Sequence, residues 1–163
     1  MSVPAASERT AGVSLPDVLE ETLTLTAAVY EAMISLALGE TPDEACGLFA
    51  GPPGGLVVDT FFPIANVAPP EWRPEIYKLD GRGMLDAETA ADEAGRAVLG
   101  VMHSHTHTVA YPSPTDVADA ADADPFGTLV FVIVSLEHPD PYLRAFRILD
   151  GDITDVPVAV DPG

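Results

Sequence analysis

The stretch Val101-Met-His-Ser-His-Thr-His-Thr-Val-Ala-Tyr-Pro-Ser-Pro-Thr-Asp116 decides how this chain is read. It sets His103, His105, His107, Ser113 and Asp116 directly behind an apolar run over residues 98–102. That run reads as a buried strand. If the strand continues, His103 and His105 lie two residues apart and project to one face. Two imidazoles on one face are half of a tetrahedral zinc site, and Asp116 is in reach as a third, carboxylate ligand. Three protein ligands leave a fourth position for water, the pattern of a catalytic rather than a structural zinc. The end of the stretch also spells a helix start, with Ser113 as N-cap, Pro114 first in the helix and an acid at its third position. Both readings are compatible, since a helix starting here would aim Asp116. The residues alone still leave a metal site and an unrelated His–His–Asp grouping open.

Working outward, the 163 residues suit one domain with a real core. No apolar run approaches membrane-spanning length. Residues 1–10 lack the basic and apolar regions of a signal peptide. The expectation is a soluble, cytoplasmic protein with no membrane partner. A single cysteine, Cys46, excludes an internal disulfide framework and a cysteine-rich zinc site, so any metal must be held by His, Asp or Glu. The net charge of −19, from 26 acidic and 7 basic residues, repels phosphate backbones and argues against a nucleic-acid partner.

Residues 1–21 are rich in Ala, Ser and Pro without a clear period and read as a mobile leader to a domain spanning 22–163. A short strand at 22–25 precedes a helix capped by Thr26, with Val29, Met33 and Leu36 inward and Gly39 as its stop. Glu44 opens a small-residue strand that runs to Gly51. After the turn 52–55, residues 56–67 read as one long strand. A proline-rich loop with Trp72, a short strand at 77–79 and a helix from Met84 to Arg96 follow. Met84, Leu85, Ala91 and Ala94 are that helix's expected buried residues. A helix over 114–123, an apolar, β-branched strand over 128–135, a strand over 142–149, a hairpin turn at Asp150-Gly151 and a last strand over 153–160 complete the chain. This order predicts an α+β domain built on a curved, mostly antiparallel sheet flanked by helices.

The spacing His-x-His, seven residues, Ser, two residues, Asp resembles the JAMM motif of JAB1/MPN metalloproteases. His103, His105, Ser113 and Asp116 fall on it without a gap. Glu44, in Asp-Glu-Ala-Cys-Gly-Leu, matches the glutamate that this family carries upstream on a strand. The likeness extends from about residue 23 to 160 and is strongest to small stand-alone bacterial members. It implies a single MPN/JAB-like domain, a cytidine-deaminase-like sandwich, and one Zn2+ per chain on His103, His105 and Asp116. It implies Glu44 as the general base that takes a proton from water and returns it to the leaving amine. It implies Ser113 as hydrogen-bond donor to the developing oxyanion. Taken alone, Glu44 would read as a solvated acid at a strand end; beside the complete motif it reads as part of the site.

The resemblance further implies a hydrolase, in cysteine or sulfur metabolism, that cuts an amide or isopeptide bond after the C-terminal Gly-Gly of a ubiquitin-like sulfur carrier. The competing reading is a non-catalytic MPN-type scaffold that binds such a partner. Ser104, facing away from the histidines on a regular strand, is free to bond to the backbone. His107 reads as a loop residue at the cleft mouth, with a place as a further ligand left open. Cys46 reads as a buried core thiol. Trp72 and Tyr77 fit either a groove for an extended tail or aromatic packing in the core.

Overall fold

The computed structural model describes residues 21–162, so the expected leader lies outside the described residues except for Glu21. Glu21 is tied to the domain: its carboxylate accepts from Arg147 Nε at 3.0 Å and from the guanidinium Nη2 at 2.7 Å.

Strand β1, Leu23–Thr26, leads straight into helix α1, Ala27–Glu40. The Thr26 hydroxyl caps the helix by accepting from Val29 N at 3.2 Å. Val29, Met33 and Ala37, four residues apart, form its buried stripe. The helix passes through Gly39 rather than stopping there. Its end is Thr41, extended at φ −53° and ψ 140°, because the residue before Pro42 is steered out of the helical region.

The main sheet has six strands. They are β2 (Cys46–Gly51), β4 (Thr60–Ile64), β5 (Ala97–His105), β6 (Val130–Ser135), β7 (Tyr142–Leu149) and β8 (Asp152–Val156). Their spatial order is β4-β2-β5-β6-β7-β8, antiparallel throughout except for the parallel pair β5–β6. The mostly antiparallel sheet of the sequence reading is therefore present. A second sheet was not foreseen: β3 (Val57–Val58) and β9 (Val158–Asp161) each pair in parallel with β1.

The two outer strands of that second sheet, β3 and β9, were hidden inside longer apparent strands. The run 56–67 is broken at Asp59, and its two halves enter different sheets. Asp59 is held at the junction by Arg96, whose Nε donates to Oδ1 at 3.1 Å. The run 153–160 is broken at Pro157, which has no N–H for a ladder but accepts from Leu23 N at 2.8 Å. The expected strand at 77–79 is reduced to one bridge between Asn66 and Leu79.

Helices cover both faces of the main sheet. Leu23, Leu25, Val29, Met33, Met102, Val132 and Val134 pack into one cluster on the α1 side. Leu48, Val101, Phe131, Ala87 and Ala120 pack on the other side, under helices α2 (Gly81–Glu93) and α3 (Pro114–Ala123). Asp80 starts α2 earlier than apolar periodicity suggested, accepting from Gly83 N at 3.1 Å. Ala87 and Ala91 are its buried residues, while Leu85 and Ala94 point outward. At the centre, Gly100 of β5 lies opposite Phe49. A Cβ at Gly100 would fall 1.9 Å from Val130 O and 2.4 Å from the Phe49 ring, so only glycine lets β6 and that ring approach this closely. Among the described residues, no helix is long and apolar enough to cross a membrane.

Helix α3 forms the crossover between the parallel strands β5 and β6. In such a unit, ligands favour the crevice beyond the carboxyl ends of the strands. In this chain, the carboxyl end of β5 is His103-Ser-His105.

Candidate functional site

Alternation along β5 sends Val101, His103 and His105 to the face shared with α2 and α3, as predicted, and Met102 and Ser104 to the other. Both histidines are buried. Ser104 turns away from them, and its hydroxyl accepts from Ala45 N at 2.7 Å. Helix α3 starts at its own signal: the Ser113 hydroxyl accepts from Asp116 N at 3.1 Å, and Asp116 Oδ2 accepts from Ser113 N at 2.9 Å. This capping box fixes the Asp116 carboxylate over the end of β5.

Three atoms converge as a result. His103 Nε2 lies 3.2 Å from His105 Nε2 and 3.2 Å from Asp116 Oδ2, and His105 Nε2 lies 3.1 Å from that same oxygen. His105 Nδ1 is 2.9 Å from Val109 O, which places the ring proton on Nδ1 and leaves the Nε2 lone pair facing the other two atoms. Each of the three groups can offer a lone pair at this point, an arrangement that a shared cation would satisfy. Their spacing is close to the edge of a tetrahedron whose ligands stand about 2.0–2.2 Å from one ion. Together, His103, His105 and Asp116 could hold a metal ion.

The charges fit this view. Burial opposes ionisation of Asp116, but bonding to His103 and His105 outweighs it and holds the carboxyl well below the usual range. For His105, burial disfavours the charged ring, yet Asp116 and the Val109 carbonyl raise its affinity for a proton overall. The ring of Tyr77 stacks on His103 with centroids 4.4 Å apart and planes 22° apart, which fixes the imidazole's tilt. Of the two aromatics singled out in the sequence, Tyr77 thus serves the site directly, whereas Trp72 is exposed. His107 stands exposed in the loop after β5, and His103, His105 and Asp116 gather without it.

Glu44 precedes β2 and is only 4% exposed. Among the described residues, its Oε1 has no hydrogen-bond partner, as is true of His103 Nδ1. Burial pushes the Glu44 carboxyl up to about 8; attraction to His105 opposes this, and repulsion from Asp116 and Glu75 adds to it. A buried carboxyl without a partner costs stability, and such groups cluster where chemistry needs a proton to move. Cys46, two residues on, is an inward thiol 3.4 Å from Ile64 O, and burial pushes it up to about 12, so it rests as a neutral core group.

The state of Glu44 has a consequence for stability. Its ordinary value is 4.5 and its folded value about 8, so the folded chain binds this proton more tightly than the unfolded chain. Stability of the metal-free protein must therefore fall as pH rises through that window. Glu44→Gln should remove this part of the fall. Thermal melts at pH 5 and pH 8 should show a smaller loss of Tm in the variant than in the wild type. Equal losses would mean that Glu44 does not carry the proton in the folded state.

One site residue was missed by sequence reasoning. Asn66, assigned to the long strand, donates from Nδ2 to Glu44 O at 3.0 Å and to Ile76 O at 3.1 Å. Nothing in the sequence marks it, since its partners lie 22 and 10 residues away.

Comparison with known proteins agrees with the geometry. The family model of prokaryotic homologs of the JAB domain matches residues 26–149. A Mycobacterium tuberculosis protein named CysO-cysteine peptidase is 38% identical over 139 residues, covering 85% of this chain and 90% of that one. A Haloferax volcanii protein named desampylase is 30% identical over 126 residues, covering 77% and 84%. Among solved structures, a Desulfitobacterium hafniense protein superposes with a TM-score of 0.77 at 31% identity, over 86% of this chain and 94% of that one. A JAB1/MPN domain protein from Archaeoglobus fulgidus shares the fold, with a TM-score of 0.54 at 16% identity over 84% and 99%. With its β5 histidines, its capped aspartate and its sheet order in place, this chain belongs to the prokaryotic homologs of the JAB domain.

Proposed function

We propose that this protein is a zinc-dependent hydrolase that cuts an amide or isopeptide bond after the C-terminal Gly-Gly of a ubiquitin-like sulfur carrier. The observation that carries the reading is the convergence of His103 Nε2, His105 Nε2 and Asp116 Oδ2 within 3.2 Å of one another, beside a buried, unpartnered glutamate. The relatives' names supply the substrate class: a CysO-cysteine peptidase, a desampylase and a probable TtuB-protein conjugate cleaving protease. His103, His105 and Asp116 would hold the zinc. When bound there, it supplies Lewis acidity at the substrate carbonyl and makes water more acidic.

The chain's own residues carry the rest of the chemistry. Glu44 takes a proton from the attacking water and delivers it to the leaving amine, so it ends the cycle in the state in which it began. A carboxyl raised by burial suits this exchange, because an efficient acid–base group titrates near the working pH. Ser113 already accepts from Asp116 N, which leaves its own O–H free to donate to the oxyanion that develops on the substrate carbonyl. It is not the nucleophile: His103, His105 and Asp116 are drawn to one another, and among the described residues no histidine is hydrogen-bonded to its hydroxyl to activate it. Water is the nucleophile: its oxygen joins the carbonyl carbon as the C–N bond breaks, and the products are the carrier's carboxylate and an ammonium group that has taken up both protons of the water. A purely binding scaffold would have no use for a buried, unpaired Glu44.

Three catalytic groups provide chemistry but little recognition, so the folded carrier must supply much of the binding energy that positions the bond. A glycine-rich tail suits the crevice because it lets backbone approach backbone closely. The test uses a Gly-Gly-terminated ubiquitin-like carrier extended by one residue, compared with its isolated C-terminal hexapeptide. The intact fusion should be cut after the second glycine with the much larger kcat/KM. Equal values would show that the body is not read and would favour a general peptidase.

A further inference from the structure

Glu44 lies just outside the sheet. The β2–β4 ladder ends at the pair Cys46–Ile64, so no strand partner reaches the backbone of Glu44. The loop supplies what the ladder does not: Glu44 N donates to Arg73 O at 2.8 Å, and Glu44 O accepts from Asn66 Nδ2 at 3.0 Å. The Asn66 carboxamide uses its full capacity of two donors and two acceptor lone pairs. Nδ2 also donates to Ile76 O at 3.1 Å, and Oδ1 accepts from Ala68 N and Lys78 N, each at 3.1 Å. Ile76 and Lys78 flank Tyr77, whose ring lies on His103. One side chain thus ties the backbone of Glu44 to the segment that carries the ring over a candidate metal ligand.

We infer that Asn66 is a positioning residue for hydrolysis: through one amide it sets Glu44 and Tyr77 in register with the His103–His105–Asp116 centre. The inference rests on Glu44 as the proton carrier. It goes beyond packing, because the bonds divide into two halves that can be separated. The oxygen organises the loop at Ala68 and Lys78, and the nitrogen holds Glu44 and Ile76. A carboxylate of the same shape keeps the first half. It replaces the second with an oxygen facing two carbonyls, which costs the bonds and adds repulsion.

The experiment measures kcat, KM, zinc content and amide exchange for wild type, Asn66→Asp, Asn66→Ala and Glu44→Gln, using the carrier fusion described above. Rates are normalised to the folded, zinc-loaded fraction. Asn66→Asp should retain zinc and slow exchange at Ala68 and Lys78, with kcat lowered about 10- to 100-fold, the cost of a small misplacement of a catalytic group, and KM little changed. Asn66→Ala should lower kcat similarly and also speed exchange at both amides. Wild-type kcat in folded, zinc-loaded Asn66→Asp overturns the inference if Glu44→Gln is inactive. So does an Asn66→Ala variant that melts earlier yet turns over normally per folded molecule. An active Glu44→Gln instead overturns the reading of Glu44 itself.

Discussion

Glu44→Gln should keep the fold and about one zinc per chain while lowering kcat by roughly 10²–10⁴-fold, the usual contribution of a positioned acid–base group. Glutamine matches glutamate in size, and its backbone bonds to Arg73 and Asn66 do not involve the side chain. No hydrogen bond to Glu44 Oε1 is lost, because the oxygen has none among the described residues. What disappears is the ability to exchange a proton in a buried place beside His105 and Asp116, the groups whose charge it feels. Substrate contacts made in the ground state remain, so KM should change little and the loss should fall on kcat. Steady-state kinetics on the carrier fusion, together with zinc analysis of the same sample, decide it. Unchanged turnover would make another group the base. Loss of zinc would make Glu44 a ligand.

His103→Ala and Asp116→Ala should each abolish zinc binding, and turnover with it. The two residues reach the centre from different elements, β5 and the first turn of α3. Removing His103 takes one of three converging donors and leaves the Tyr77 ring without its stacking partner. Removing Asp116 takes the only carboxylate of the group and one half of the capping box at the start of α3. Asp116→Ala should therefore also weaken the helix start, by about 0.5–1.5 kcal/mol for the lost bond from Ser113 N. Asp116→Asn separates the two effects: it keeps an oxygen for Ser113 N but not the charge, and should fold like the wild type while binding zinc poorly.

The residues of the centre were legible because they are local. His103 and His105 are two apart on a strand, and Ser113-Pro-x-Asp116 encodes both a helix start and a candidate metal ligand, so α3 runs over the predicted 114–123. The fully buried β6 was visible as an uninterrupted apolar, β-branched run. Asp150-Gly151, with φ of 52° and 82°, turns the chain from β7 into β8 as a hairpin should. What escaped depends on distant partners. Whether 56–67 is one strand or two was decided by β1 and by Arg96, not by the run itself. The split at Pro157 was decided by pairing with β1. Tyr77 on His103 and Asn66 under Glu44 join residues 26 and 22 positions apart, and no periodicity records such contacts.

The site is tested most directly by measuring zinc per chain on the same wild-type, Asp116→Ala and Glu44→Gln samples whose cleavage of the carrier fusion is recorded. If His103, His105 and Asp116 hold the metal and Glu44 moves the proton, the three samples contain about one, zero and one equivalents, and only the first turns over. Full zinc in Asp116→Ala, or none in Glu44→Gln, would contradict this division of roles.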